Sequence, residues 1–214
     1  MKNQLLISLL AVAFSLAPMA AKKKADDGFV SLYNGKDLTG WKTTGNWLPQ
    51  KDGSLLIQPR PGEKGWQRYS AYLTSEKKYK DFILEVEYKY PKRGNSGVYF
   101  RIADPKDPVK TGIECQVLDS FGKPDDKMTA HDHGGIIRTV APSKNMSKKP
   151  GEWNKMVVTC KGHHLRVNLN GEDIVDVQLD KTPVKDRPLE GYVSLQDHGE
   201  PNNLHFRNIR IKEL

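Results

Sequence analysis

From Phe82 to Tyr90 the chain is apolar at Phe82, Leu84, Val86, Tyr88 and Tyr90 and polar at Glu85, Glu87 and Lys89. That two-residue period belongs to a strand with one buried and one wet face. Similar short runs recur at 29–33, 54–58, 70–75, 97–103, 112–118, 154–162, 164–169, 173–179, 191–196 and 204–214. Almost nothing carries a helical period. Many short strands separated by Gly, Pro, Asn and Asp predict an all-β fold of two packed antiparallel sheets. Asn170-Gly171 supplies the left-handed conformations of a tight hairpin. In 204–214 the apolar phase passes through Leu204 and Phe206, then shifts to Ile209 and Ile211, which predicts a bulge near Asn208.

Lys2 precedes an apolar run from Leu5 to Ala17, with small residues at Ala20 and Ala21. This is the layout of a secretory leader over residues 1–21, cut after Ala20 or Ala21, followed by a short linker at 22–28. The run is too short to span a bilayer, so no stable membrane anchor is expected. The remaining residues, 29–214, suffice for one domain burying roughly 70% of its unfolded surface. The net charge is +8, but the basic residues are dispersed, without the stripe or aromatic ladder of a nucleic-acid binder. Cys115 and Cys160 lie in strand-like runs. Export permits a disulfide, while two buried thiols fit the same pattern.

The candidate chemistry lies on the polar phases. In 97–103 that phase carries Tyr99 and Arg101; in 112–118, Glu114 and Gln116; in 191–198, Tyr192, Ser194, Gln196 and His198. Arg, Glu, Gln, His and Tyr are side chains that orient a polyhydroxylated ligand, and a carboxylate with an imidazole can move protons near neutral pH. After these polar strands comes a long connection, 119–152, of a length that usually marks a functional or mobile loop. Its His131 and His133, extended side by side, could hold a divalent metal together with Asp119. Among four tryptophans, Trp66 in the Gly-rich stretch 61–69 is the expected exposed platform. There is no GxSxG elbow, phosphate loop, dinucleotide fingerprint or HExxH. Nor is there the ExDxxE strand of jelly-roll glycanases that points paired carboxylates at the glycosidic bond: 83–90 has only Glu85 and Glu87 and nothing to complete it.

The motifs "LYNGKDLTGWK", "GNSGVYFR", "GIECQVLDS", "APSKNMSKKPGEWN", "VNLNG" and "GYVSLQDHG" followed by "FRNIRIKEL" together resemble the 3-keto-disaccharide hydrolase family. The match runs in order from about Phe29 to Leu214. The resemblance implies a concanavalin A-like jelly-roll β-sandwich of two antiparallel sheets. It also implies an exported or periplasmic enzyme that cleaves glycosides oxidised at carbon 3. Carried over by position, the family's polar residues fall on Arg101, Glu114, Gln116, Asp119, Gln196 and His198. A 3-keto group acidifies the proton at carbon 2, so the expected roles are Glu114 as base and His198 as acid, with Asp119 orienting His198 or ligating a metal. Arg101 and Gln116 would stabilise the enolate oxygen, while Tyr99, Gln196 and Asn95 would bind the sugar. Ile137 stands where the family's pattern has a tyrosine, a difference that bears on substrate scope. A lectin-like carbohydrate-binding module, or an envelope domain using its polar face as an interface, would share the same sandwich.

Overall fold

The computed structural model describes residues 27–214; the expected leader lies outside the described residues. The strands are β1 Val30–Ser31, β2 Trp41–Lys42, β3 Trp47–Pro49, β4 Leu55–Ile57, β5 Leu73–Tyr79, β6 Phe82–Lys89 and β7 Asn95–Ile102. They continue with β8 Ile113–Leu118, β9 Asn154–Lys161, β10 His164–Leu169, β11 Glu172–Gln178, β12 Gly191–Leu195 and β13 Leu204–Glu213. All pairings are antiparallel. One sheet has the order β11-β10-β9-β6-β13-β4-β3, with β1 also pairing β13; the other has the order β2-β5-β12-β7-β8. This is the expected jelly-roll sandwich. A single four-residue helix, Pro108–Thr111, is the one α-helix among the described residues. No helix there is long and apolar enough to cross a membrane.

The core lies between the sheets and follows the alternation directly. Phe82, Leu84, Val86 and Tyr88 of β6 are buried with Val98, Phe100, Cys115 and Val117 from the facing sheet. Asn170 and Gly171 take φ of 55° and 98° and close the β10–β11 hairpin, as the dipeptide demands. Asn208 has φ 48°, and the β13–β6 register shifts between Arg207 and Arg210. The bulge lets Phe206 and Ile209 both face inward. Two short strands, β2 and β3, escape the sequence pattern because two or three residues carry no period. Cys115 and Cys160 are both free thiols in the core.

The long connection after β8 is pinned rather than loose. Gly134 N donates to Gln116 O at 2.8 Å, Gln116 N to Gly135 O at 2.9 Å and Ile137 N to Glu114 O at 3.0 Å. The loop thus covers the β8 edge, which would otherwise expose unpaired backbone groups. It also places Ile137 and Arg138 beside Glu114.

Candidate active site

Strand register assembles the site. Tyr99 of β7 lies opposite Glu114 of β8, and Gly97 opposite Gln116. On the other side of β7, Ser194 lies opposite Tyr99, and Gln196 N donates to Gly97 O at 2.9 Å just beyond the end of β12. Asn95, Tyr99, Glu114, Gln116, Gln196 and His198 therefore line one cleft of about 210 Å³, together with Trp66, His131 and Arg138.

Two hydrogen-bond chains organise these side chains. Gln196 Nε2 donates to Tyr72 Oη at 2.9 Å and to Tyr99 Oη at 3.4 Å, and Tyr99 Oη donates to Glu114 Oε2 at 2.6 Å. Gln116 Nε2 donates to Asn95 Oδ1 at 3.4 Å, and Asn95 Nδ2 donates to His198 Nε2 at 3.1 Å. The second chain presents His198 as an acceptor at Nε2, the state of a neutral ring. The carbonyl oxygens Gln116 Oε1 and Gln196 Oε1 are buried without a partner. Buried orphan acceptors are uncommon and mark places where a ligand hydroxyl can donate. A Cβ on Gly97 would stand 2.3 Å from Glu114 Oε1. Glycine at 97 is therefore what lets the carboxyl lie down across β7.

The two titratable groups are displaced in opposite directions. Burial pushes the Glu114 carboxyl up to about 7, against the opposing hydrogen bond from Tyr99 and the charge of Arg138. Burial lowers His198 below its ordinary 6.5. At neutral pH the pair is thus a partly protonated acid beside a neutral imidazole.

Three expected site residues lie elsewhere. Arg101 has φ 52°, and this left-handed residue reverses the alternation, so its side chain enters the interior, fully buried, while Ile102 joins Tyr72 and Tyr99 on the other side. Its Nη2 donates to Lys80 O at 3.1 Å and approaches Asp81 Oδ1 at 3.4 Å, away from Glu114. Asp119 does not orient His198; its carboxylate accepts from the backbone N–H of Arg93 at 2.8 Å and of Phe121 at 3.4 Å. His133 is buried, with Nε2 at 2.5 Å from Tyr88 Oη, and burial depresses its pKa to about 3. His131 is exposed at the cleft, so the two histidines do not form a metal pair. Among the described residues no three His, Cys, Asp or Glu side chains are grouped to hold a metal ion.

Two contributors were not evident from periodicity. Arg138, with φ 58°, reaches the cleft only because the loop folds back on β8. Asp197 is fully buried; it accepts from Gly199 N at 2.8 Å and pairs with Arg68 Nη2 at 2.9 Å, and Arg68 also meets Glu63 at 3.3 Å. These contacts tie the segment carrying Trp66 to the strand end carrying His198. The "DHG" run at 197–199 was the sequence signal for that junction, although Asp197 lies off the phase of Gln196 and His198.

A curated 3-keto-disaccharide hydrolase of Bacteroides thetaiotaomicron is 27% identical over 96% of this chain and 87% of its own length. Two crystal structures from Parabacteroides distasonis, each provisionally assigned as a glycosyl hydrolase, superpose with TM-scores of 0.71 and 0.72. Their identities are 26% and 25%, covering 87% and 92% of this chain and 99% and 98% of theirs. The profile of the 3-keto-alpha-glucoside-1,2-lyase-like domain matches residues 28–212, and the chain belongs to that family.

Proposed function

We propose that this protein is a glycoside-cleaving enzyme whose substrates carry a ketone at carbon 3 of the sugar, and that it acts by elimination followed by addition of water. The observation that carries this reading is the pairing of Glu114, held near neutrality, with neutral His198 in one cleft. Support for a 3-keto sugar comes from the name of the Bacteroides relative.

The protonation states favour exchanging the roles expected from sequence. Glu114 as base and His198 as acid would require a charged carboxylate and an imidazolium together. With Glu114 near 7 and His198 below 6.5, that combination is the minority state. The majority productive state has neutral His198 as base and protonated Glu114 as acid, the usual outcome when environments push two pKa values apart.

His198 Nε2 removes the proton from carbon 2. The electron pair of that C–H bond forms the C1–C2 double bond as the C1–O bond breaks. Glu114 gives its proton to the departing oxygen. When the sugar enters, Asn95 Nδ2 turns from His198 Nε2 to the carbon 3 oxygen, which frees the base, and Gln116 Nε2 leaves its long 3.4 Å contact with Asn95 Oδ1 to donate to the same oxygen as negative charge develops there. In the second half, Glu114 carboxylate takes a proton from water as its oxygen adds to carbon 1, and His198 returns a proton to carbon 2. Both groups end as they began. The leader expected over residues 1–21 fits action outside the cytoplasm.

The test is release of the leaving group from a 3-keto glucoside beside its parent glucoside. Turnover confined to the 3-keto compound is the expected result. Retention of a plain glycan with no release from either compound would instead support a binding module.

A further inference from the structure

Beside Glu114 lies a second, smaller pocket of about 130 Å³ that shares Tyr99, Val109, Glu114, Ile137 and Arg138 with the main cleft. Val109, Ile113, Ile137 and Val184 give it an apolar side, of which Ile113 and Val184 belong to this pocket alone. Its volume is somewhat below the roughly 150 Å³ of a dry cavity able to hold a benzene ring, and the residues it shares with the main cleft continue its lining outward. Two guanidinium groups, those of Arg138 and Arg187, also line it. Arg187 makes one long contact, Nη2 to Val109 O at 3.4 Å, and its Nε is buried with no partner. Arg138 has a left-handed backbone at φ 58°, an uncommon conformation for a non-glycine residue.

An apolar side and two arginines are poorly matched to a polyhydroxylated ring. They match a flat ring bearing a carboxylate, because a guanidinium offers paired N–H donors to the two carboxylate oxygens. We infer that this pocket receives the leaving group of the substrate, and that the leaving group is an aromatic carboxylic acid linked through a phenolic oxygen. The inference rests on the proposed function, in which Glu114 protonates the departing oxygen. A leaving-group pocket must then adjoin Glu114, as this one does. The sugar occupies the main cleft, against Gln116, Gln196 and His198.

The experiment is direct binding, by calorimetry, of 4-hydroxybenzoate and its neutral isostere 4-hydroxybenzamide, with glucuronate and glucose as a sugar pair. The expected result is at least tenfold tighter binding of 4-hydroxybenzoate than of the amide. That preference should be lost in Arg187→Gln and weakened in Arg138→Gln, with folding checked by thermal melts. Equal binding of acid and amide, or a preference that survives both substitutions, overturns the inference. Discrimination confined to glucuronate over glucose overturns its aromatic half. Turnover of neutral 3-keto glucosides reports separately on the proposed function. Turnover without carboxylate preference removes only the pocket's role, whereas carboxylate preference without turnover removes the function reading and leaves an acid-binding pocket.

Discussion

Tyr99 Oη donates to Glu114 Oε2 at 2.6 Å across the β7–β8 pair, while Oε1 of the same carboxyl lies over Gly97. One oxygen is thus held by a donor, and the other is placed by the absence of a side chain. This arrangement fixes a buried carboxyl in a cleft where its ionisation is costly.

If Glu114 is the acid, its importance depends on the leaving group. Glu114→Gln should reduce kcat/KM by about 10²–10⁴-fold for an alkyl or sugar leaving group. The loss should be within about tenfold for a nitrophenolate, which departs without a proton. His198→Ala should impair both substrates alike. Steady-state kinetics with the two leaving groups checks this, and equal losses in Glu114→Gln would return the base role to Glu114.

Glu114 also links stability to pH. Its pKa rises from 4.5 to about 7 on folding, so the native state holds more protons between those values. Its favourable contribution is complete below 4.5 and is lost as pH rises through about 7. Above that, ionised Glu114 costs roughly 3 kcal/mol. Glu114→Gln should therefore melt about 6–12 °C higher than wild type at pH 8.5, with the difference vanishing near pH 4.5. Calorimetric melts at the two pH values check the sign.

Gly97→Ala places a methyl group 2.3 Å from Glu114 Oε1 and 3.0 Å from its Cδ. The carboxyl must rotate away, and a displacement near 1 Å costs on the order of 10²-fold in rate. The expected outcome is a loss in kcat of that size, with the fold intact by circular dichroism. Unchanged kcat would mean that Glu114 has freedom the structure does not show.

Much of this site was legible because strand alternation is rigid. Tyr99, Glu114 and Gln116 occupy the polar phases of β7 and β8, and Gln196 and His198 continue that of β12, so a common face followed once the strands paired. Arg101 was misplaced because a single left-handed residue reverses the phase, and nothing in an arginine announces φ 52°. His133 turned inward because the loop docks on Tyr88, a tertiary event without a local signature. Arg138 was invisible for the same reason. By contrast, the bulge at Asn208 was readable because the apolar residues themselves change phase.

The Arg68–Asp197 pair gives a prediction away from the reacting atoms. Arg68→Leu leaves buried Asp197 without its counter-ion, which should cost roughly 2–3 kcal/mol, less than a fully buried pair because Arg68 is partly exposed. Releasing the segment that carries Trp66 should raise KM more than it lowers kcat. A fall in kcat with KM unchanged would place the pair in the chemistry rather than in holding the cleft wall.

The central claim is proton abstraction at carbon 2, and turnover of a 3-keto glucoside in D₂O, followed by NMR at early times against an enzyme-free control, tests it most directly. The account predicts deuterium at carbon 2 of the released 3-keto sugar, appearing with the free leaving group and absent in His198→Ala. Release of the leaving group with carbon 2 still carrying its original hydrogen, and with no primary isotope effect when carbon 2 is deuterated, would contradict it.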